Sequence, residues 1–145
     1  MTILPKTKQP PVEFTPKVRA MILERAGGRC EGCGHYVKTE AHHRLYKTRG
    51  GRGTVANGLA LCGLGNTSGC HGIAHTGKKE EGRIVTGEDL GWSLPSRSDP
   101  LVMPVKLWRS DRWGIELHRW ALFDNKGGVH WITDEEAARR MGTVK

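Results

Sequence analysis

The sequence predicts an α+β fold, in which a small strand, loop, strand, helix unit needs metal to hold it together. A helix precedes this unit, and a C-terminal β-hairpin with a short last helix follows it. Three observations predict this. Cysteines and histidines crowd the middle of the chain at spacings that suit metal ions. Capped helical segments lie at 15–28 and 134–141. The stretches "PVKLW", "WGIELHRWALF" and "GVHWIT" are rich in Trp and branched residues and are divided by turn signals such as "DNKGG". With 145 residues the chain suits one compact domain with appendages. The expected division is a flexible arm at 1–14, a metal-bearing core at 15–80 and a linker with a β-rich extension at 81–145.

Each element has a local cause. "MTILPKTKQPPVEF" carries three prolines and no periodicity, as a loose arm does. Thr15 is the expected N-cap of a helix with Pro16 in its first turn, and Gly27 and Gly28 end it. Val18, Met21, Ile22 and Ala26 share its inner face, with Arg19 and Arg25 on the wetter side. "CEGC" at 30–33 forms a knuckle, followed by an extended piece through Tyr36 and Val37 and a second ending at His42 and His43. "GLALC" at 58–62 is another short strand, and "SGCHGIAHTG" a brief helix capped by Ser68. Residues 77–91 are polar and predict a linker or surface excursion. A hairpin is expected over about 115–132, and Thr133 with Glu136 forms a capping box for the last helix.

Charge narrows the partners. Twenty-three Lys and Arg against 15 Asp and Glu give +8, and the excess gathers at Lys38, Arg44, Lys47, Arg49 and Arg52, around a lone Glu40. A polyanion fits this cluster, and glycines 50, 51 and 53 let backbone N–H groups approach phosphates. No apolar run spans a bilayer and no secretion signal opens the chain, so a cytoplasmic protein without membrane contact is expected. In a reducing compartment the cysteines are better read as metal thiolates or buried thiols than as disulfides.

Cys30 and Cys33 have zinc-knuckle spacing, and Cys62 and Cys70 complete a set of four for a structural Zn2+, with the glycine-rich "GLGNTSG" between them. His71 and His75 share a helix face, whereas Cys70 points about 100° away, so one helix can serve two metals. His42 supplies a third nitrogen and leaves open positions for water and substrate. In a strand His42 and His43 face opposite ways, which leaves His43 for proton chemistry as a general base. Rival motifs fail on spacing. A two-Cys, two-His finger needs a histidine where Tyr46 stands, and no histidine has the Glu two residues later that zinc deaminases require.

Taken together, the cysteine knuckle, His42-His43, Asn57 and Cys70-His71-x-x-x-His75 resemble the HNH endonucleases, whose core is a ββα-metal fold, over roughly residues 15–80. The chain's size and its Trp-containing tail also resemble HNH proteins of tailed bacteriophages. The resemblance implies a DNA endonuclease that leaves 5′-phosphate and 3′-hydroxyl ends. His43 would be the base, with His42, His71 and His75 holding one catalytic divalent ion (Mg2+, Mn2+, Ni2+ or Zn2+), His71 thereby counting among the catalytic residues. Asn57 would orient the base through a hydrogen bond, or secondarily bind the ion. Arg44 or another cation of the loop would clamp phosphate, and Arg44, Lys47, Arg49 and Arg52 would contact the DNA. It also implies work in the host cytoplasm with terminase or portal proteins in DNA packaging. The competing expectation is a non-catalytic, zinc-stabilised nucleic-acid-binding module. Trp108, Trp113, Trp120 and Trp131 are expected to be mostly core rather than a docking surface. Arg109, Arg112 and Arg119, interleaved with Asp111 and Glu116, are expected to be a solvated face.

Overall fold

The computed structural model describes residues 9–65, 67–110, 113, 114 and 116–142, so Met1 to Lys8 of the expected arm, and Asp111 and Arg112, lie outside the described residues. The first helix, α1 (Pro16–Ala26), begins and ends as its caps predict. Thr15 Oγ1 accepts from Val18 N at 3.2 Å, and Gly27 closes the helix in the left-handed region at φ 64°. The strands β1 (Thr39–His43) and β2 (Gly58–Cys62) pair antiparallel, with His42 opposite Leu59 and His43 opposite Gly58. Tyr36 and Val37 stay exposed outside the pairing, which begins only at Thr39. Helix α2 (Gly69–Thr76) follows the glycine-rich turn.

Strand alternation sorts this hairpin into two faces. Ala41 and Ala60 face α1 and pack with Phe14, Ile22 and Val55. Leu59 and Leu61 face the other way, into the main core with Cys70, Ala74, Trp92, Val105, Leu107, Ala121 and Phe123. That core runs across the expected boundary at residue 80, so the C-terminal extension is part of the body that holds α2. Phe14 is buried, and Gly53 N donates to Pro11 O, so the arm is already packed by residue 11.

Residues 77–91 are more ordered than a linker. Strands β3 (Lys78–Glu80) and β4 (Arg83–Val85) form a hairpin whose two turn residues, Glu81 and Gly82, both have positive φ, the conformation that a tight right-twisted hairpin requires. Thr86 and Asp89 then cap each other's N–H groups and return the chain to deliver Trp92 into the core. Strands β5 (Val105–Ser110), β6 (Glu116–Phe123) and β7 (Val129–Trp131) make an antiparallel sheet with β6 in the centre, so the predicted hairpin is two strands of three. Helix α3 (Asp134–Met141) has its Thr133 cap, but Glu136 bonds Arg140 instead of closing the box.

Two arginines expected at the surface are interior. Arg25 forms a bidentate pair with Glu31 at 2.7 and 2.9 Å, with its side chain 1% exposed, and lies over the Phe123 ring at 3.5 Å. Arg44 is 0% exposed and donates to five carbonyls, those of Gly91, Ala56, Pro100, Met103 and Pro104, at 2.9–3.2 Å. Its role as a phosphate clamp is therefore corrected, since every direction of its planar fork is used on backbone. Burial lowers its pKa to about 9, which still leaves it charged at neutral pH. Replacing it with Met strands those acceptors. Arg44→Met is expected to cost about 3–5 kcal/mol in urea unfolding followed by Trp fluorescence. A loss below about 1 kcal/mol, the scale of a surface substitution, would contradict this role.

Candidate metal centres and the histidine cavity

The knuckle brings Cys30 and Cys33 beneath the end of β2. Gly34 N donates to Cys30 O at 2.8 Å, and Cys30 N to His35 O at 2.9 Å. Cys62 follows directly from β2, and Cys70 comes from the first turn of α2. All four sulfurs lie within 4.8 Å of one another, so together they could hold a metal ion. Cys33 Sγ and Cys62 Sγ are 3.8 Å apart. This matches the edge of about 3.8 Å that follows from a tetrahedron with ~2.3 Å zinc–sulfur bonds. The seven-residue detour closes because Gly63, at φ 104°, lets Ser68 O approach to where a Cβ would sit at 2.0 Å. Ser68 does not cap α2 with its side chain, because its hydroxyl accepts from Leu64 N inside the same detour.

The four thiols differ in acidity because they share protons and burial unequally. The Cys70 thiol donates to Cys30 and brings the Cys30 pKa down to about 4. Burial pushes Cys33 up to about 11, and the proton shared with Cys30, then burial, pushes Cys70 upward too. One negative charge is accepted readily and further ones resist each other, a conflict that a divalent ion removes.

On the other side of Cys70, α2 presents His71 and His75 to β1. Ring centroids of His42 and His71 are 4.8 Å apart, those of His42 and His75 are 5.1 Å apart, and one nitrogen from each of the three lies within 4.8 Å of the others. The outer nitrogens of His42 and His71 are already engaged. His42 Nε2 lies 2.6 Å from Trp92 O, and since a carbonyl only accepts, Nε2 carries the proton and Nδ1 is the free lone pair. His71 Nδ1 lies 3.0 Å from Glu40 Oε1, and Glu40 also accepts from Gly65 N, which leaves His71 Nε2 to face the cluster. This is the carboxylate–histidine arrangement that orients metal ligands. Tyr46 stacks on His75 at 5.1 Å and 22°, and its hydroxyl donates to Ala74 O. Burial drives the His42 pKa down to about 3 and lowers that of His75, so the neutral, ligating forms prevail at neutral pH.

His43 occupies the opposite face of β1. Its ring stacks on Phe14 at 4.1 Å, and its Nε2 lies 2.7 Å from Val12 O, so Nε2 is the protonated nitrogen and Nδ1 an unprotonated acceptor. At the strand end it nevertheless lines the same open cavity of about 300 Å³ as His42, His71, His75, Tyr46 and Lys47. Burial lowers its pKa, against the Val12 hydrogen bond, and the nearby Lys47 and Arg19 cations reinforce the decrease.

The expected site is thus assembled in part. The cysteines converge, the three histidines converge, and His43 and Lys47 share their cavity. The Asn57 amide makes no hydrogen bond to His43 among the described residues. Asn57 is 1% exposed, with Oδ1 accepting from Leu45 N and Nδ2 donating to the carbonyls of Leu45 and Arg52, so it holds the loop after His43, and its amide is spent on backbone rather than on the imidazole or a metal. Arg49 donates to Leu94 O and pairs with Glu88, and Arg52 lines a different cavity with Leu45 and Asn57. Glu40, Trp92, Val12 and Tyr46 are site residues that motif reading misses. Glu40 alone has a sequence signal: two residues before His42 on one strand, it must share that face.

No family model, curated protein or solved structure matches this chain.

The Glu40 contact generates a prediction. Glu40→Gln should weaken divalent-ion binding at the histidines by about 10–100-fold in calorimetric titration, while the metal held by the cysteines, counted by elemental analysis, stays unchanged. Unaltered affinity at the histidines would show that Glu40 does not orient His71.

Proposed function

We propose that the chain is a metal-dependent DNA endonuclease, with Zn2+ at the four cysteines serving structure and a second divalent ion at His42, His71 and His75. The observation that carries the reading is His43, an imidazole whose only free nitrogen is a lone pair, at the mouth of the cavity that the three metal-suited histidines close. Three nitrogens form a ligand set with open positions, as hydrolytic sites use, and the HNH resemblance orders the same residues the same way. Held by His42, His71 and His75, a divalent ion would supply positive charge to the scissile phosphate and the departing 3′ oxygen.

The chain's own residues do the rest. His43 Nδ1 takes a proton from the attacking water while Val12 O holds the Nε2 proton and fixes the tautomer. Phe14 keeps the ring plane in place by stacking. With Arg44 committed to the core, the phosphate is held by Lys47, which lines the cavity and exchanges its Glu13 partner for it. His71 stays aligned through Glu40, and His42 through Trp92 O. The products carry 5′-phosphate and 3′-hydroxyl ends.

Supercoiled plasmid incubated with Mg2+, Mn2+ or Ni2+ tests this. The wild-type chain should relax or linearise it, more slowly as salt rises, and His43→Ala should be slower by about 10²–10⁴-fold. Equal cutting by both would remove His43 as the base. Plasmid left intact but retarded in a gel would identify a zinc-stabilised nucleic-acid-binding module instead.

A further inference from the structure

Beyond the core, one face of the C-terminal sheet continues into solvent. Val105 and Leu107 on β5, Ala121 and Phe123 on β6 and Val129 on β7 pack inward. The next positions on that same face are Arg109, Arg119 and Trp131, where alternation alone predicts more core. Arg109 and Trp131 border a cavity of about 330 Å³ between the sheet, the end of α1 and the cysteine knuckle, lined also by Arg29 and Trp108, and Arg119 lies beside it against Trp131. Cations and rings alternate along it. Arg29 lies 3.9 Å from the Tyr36 ring centroid and 4.6 Å from that of Trp108, and Arg109 and Arg119 lie 4.9 and 5.8 Å from Trp131. Tyr36 is 69% and Trp131 38% exposed, so both retain open ring surface. The single carboxylate in the lining, Glu31, is consumed by Arg25. The Trp108 indole N–H is buried without a hydrogen-bond partner among the described residues, a donor still to be satisfied.

We propose that this groove binds single-stranded nucleic acid, with unstacked bases lying on Trp131 and Tyr36 and the flanking phosphates on Arg29, Arg109 and Arg119. Charge complementarity selects a polyanion, and exposed rings between guanidinium groups select one whose flat apolar faces are available, which a duplex hides within its stack. None of these residues lines the histidine cavity, so the groove binds whether or not the histidines cleave.

Fluorescence anisotropy with labelled (dT)20, run without added divalent ion, separates the two. The full chain should bind (dT)20 more tightly than a 20-base-pair duplex. Trp131→Ala should weaken binding by about 5–100-fold, and Arg29→Glu with Arg109→Glu by more than tenfold with a shallower salt dependence. Circular dichroism and cysteine-bound metal should match wild type. Equal binding of (rU)20 would assign the site to bases and phosphates irrespective of the sugar, and weaker binding would assign it to DNA. Trp131→Ala binding (dT)20 within twofold of wild type, or poly-glutamate displacing (dT)20 at equal charge, would overturn the proposal.

Discussion

A β-strand cannot place neighbouring side chains on one face, and the geometry of this protein's centre follows from that constraint at His42 and His43. The first imidazole is turned toward α2 and buried among groups that fix its outer nitrogen. The second is turned toward α1 and the packed end of the N-terminal arm, where Phe14 and Val12 hold it. Only because β1 stops at residue 43 do the two faces meet at one cavity mouth. Division of labour between adjacent identical residues thus needs no difference in their chemistry, only in what each face packs against.

What holds β1 at that place is a pair of buried guanidinium groups. Arg44, next in the chain, gathers carbonyls from the loop before β2 and from the segment between Gly91 and Pro104, the same segment that presents Trp92 O to His42. Arg25 ties α1 to Glu31 in the knuckle and to the carbonyls of Val55 and Gly58 around the start of β2. The distant C-terminal half is thereby coupled to the histidines through backbone. A fully paired guanidinium in the interior tolerates no register slip, because each carbonyl must return to its own N–H group.

The parts legible in the sequence are those whose cause is local. Thr15 and Gly27 bound α1, Cys30 and Cys33 announce the knuckle, and the spacing of His71 and His75 puts both on one helix face. The illegible parts depend on what the chain meets far away. Arg44 looks like its neighbours Lys47, Arg49 and Arg52, and nothing near it in sequence reveals that five carbonyls are waiting, most of them contributed by residues 91–104. Asn57 has the composition of a site residue but spends its amide on loop backbone. The polar segment at 77–91 gave no apolar period to read, yet positive-φ turn residues and a Thr86–Asp89 turn give it a path. Arg109 and Arg119 sit at core-phase positions, and only the sheet's extent shows that the core ends before them.

In the proposed site His42 offers Nδ1 to an ion while His43 keeps Nδ1 as an unprotonated acceptor. Long-range ¹⁵N–¹H correlation spectra of the imidazoles, recorded before and after a second equivalent of Zn2+, test it most directly. His42 Nδ1 and His71 Nε2 should shift to metal-bound values, with His43 remaining a neutral Nε2–H tautomer. Metal-bound shifts at His43, or unmoved resonances at His42 and His71, would contradict it.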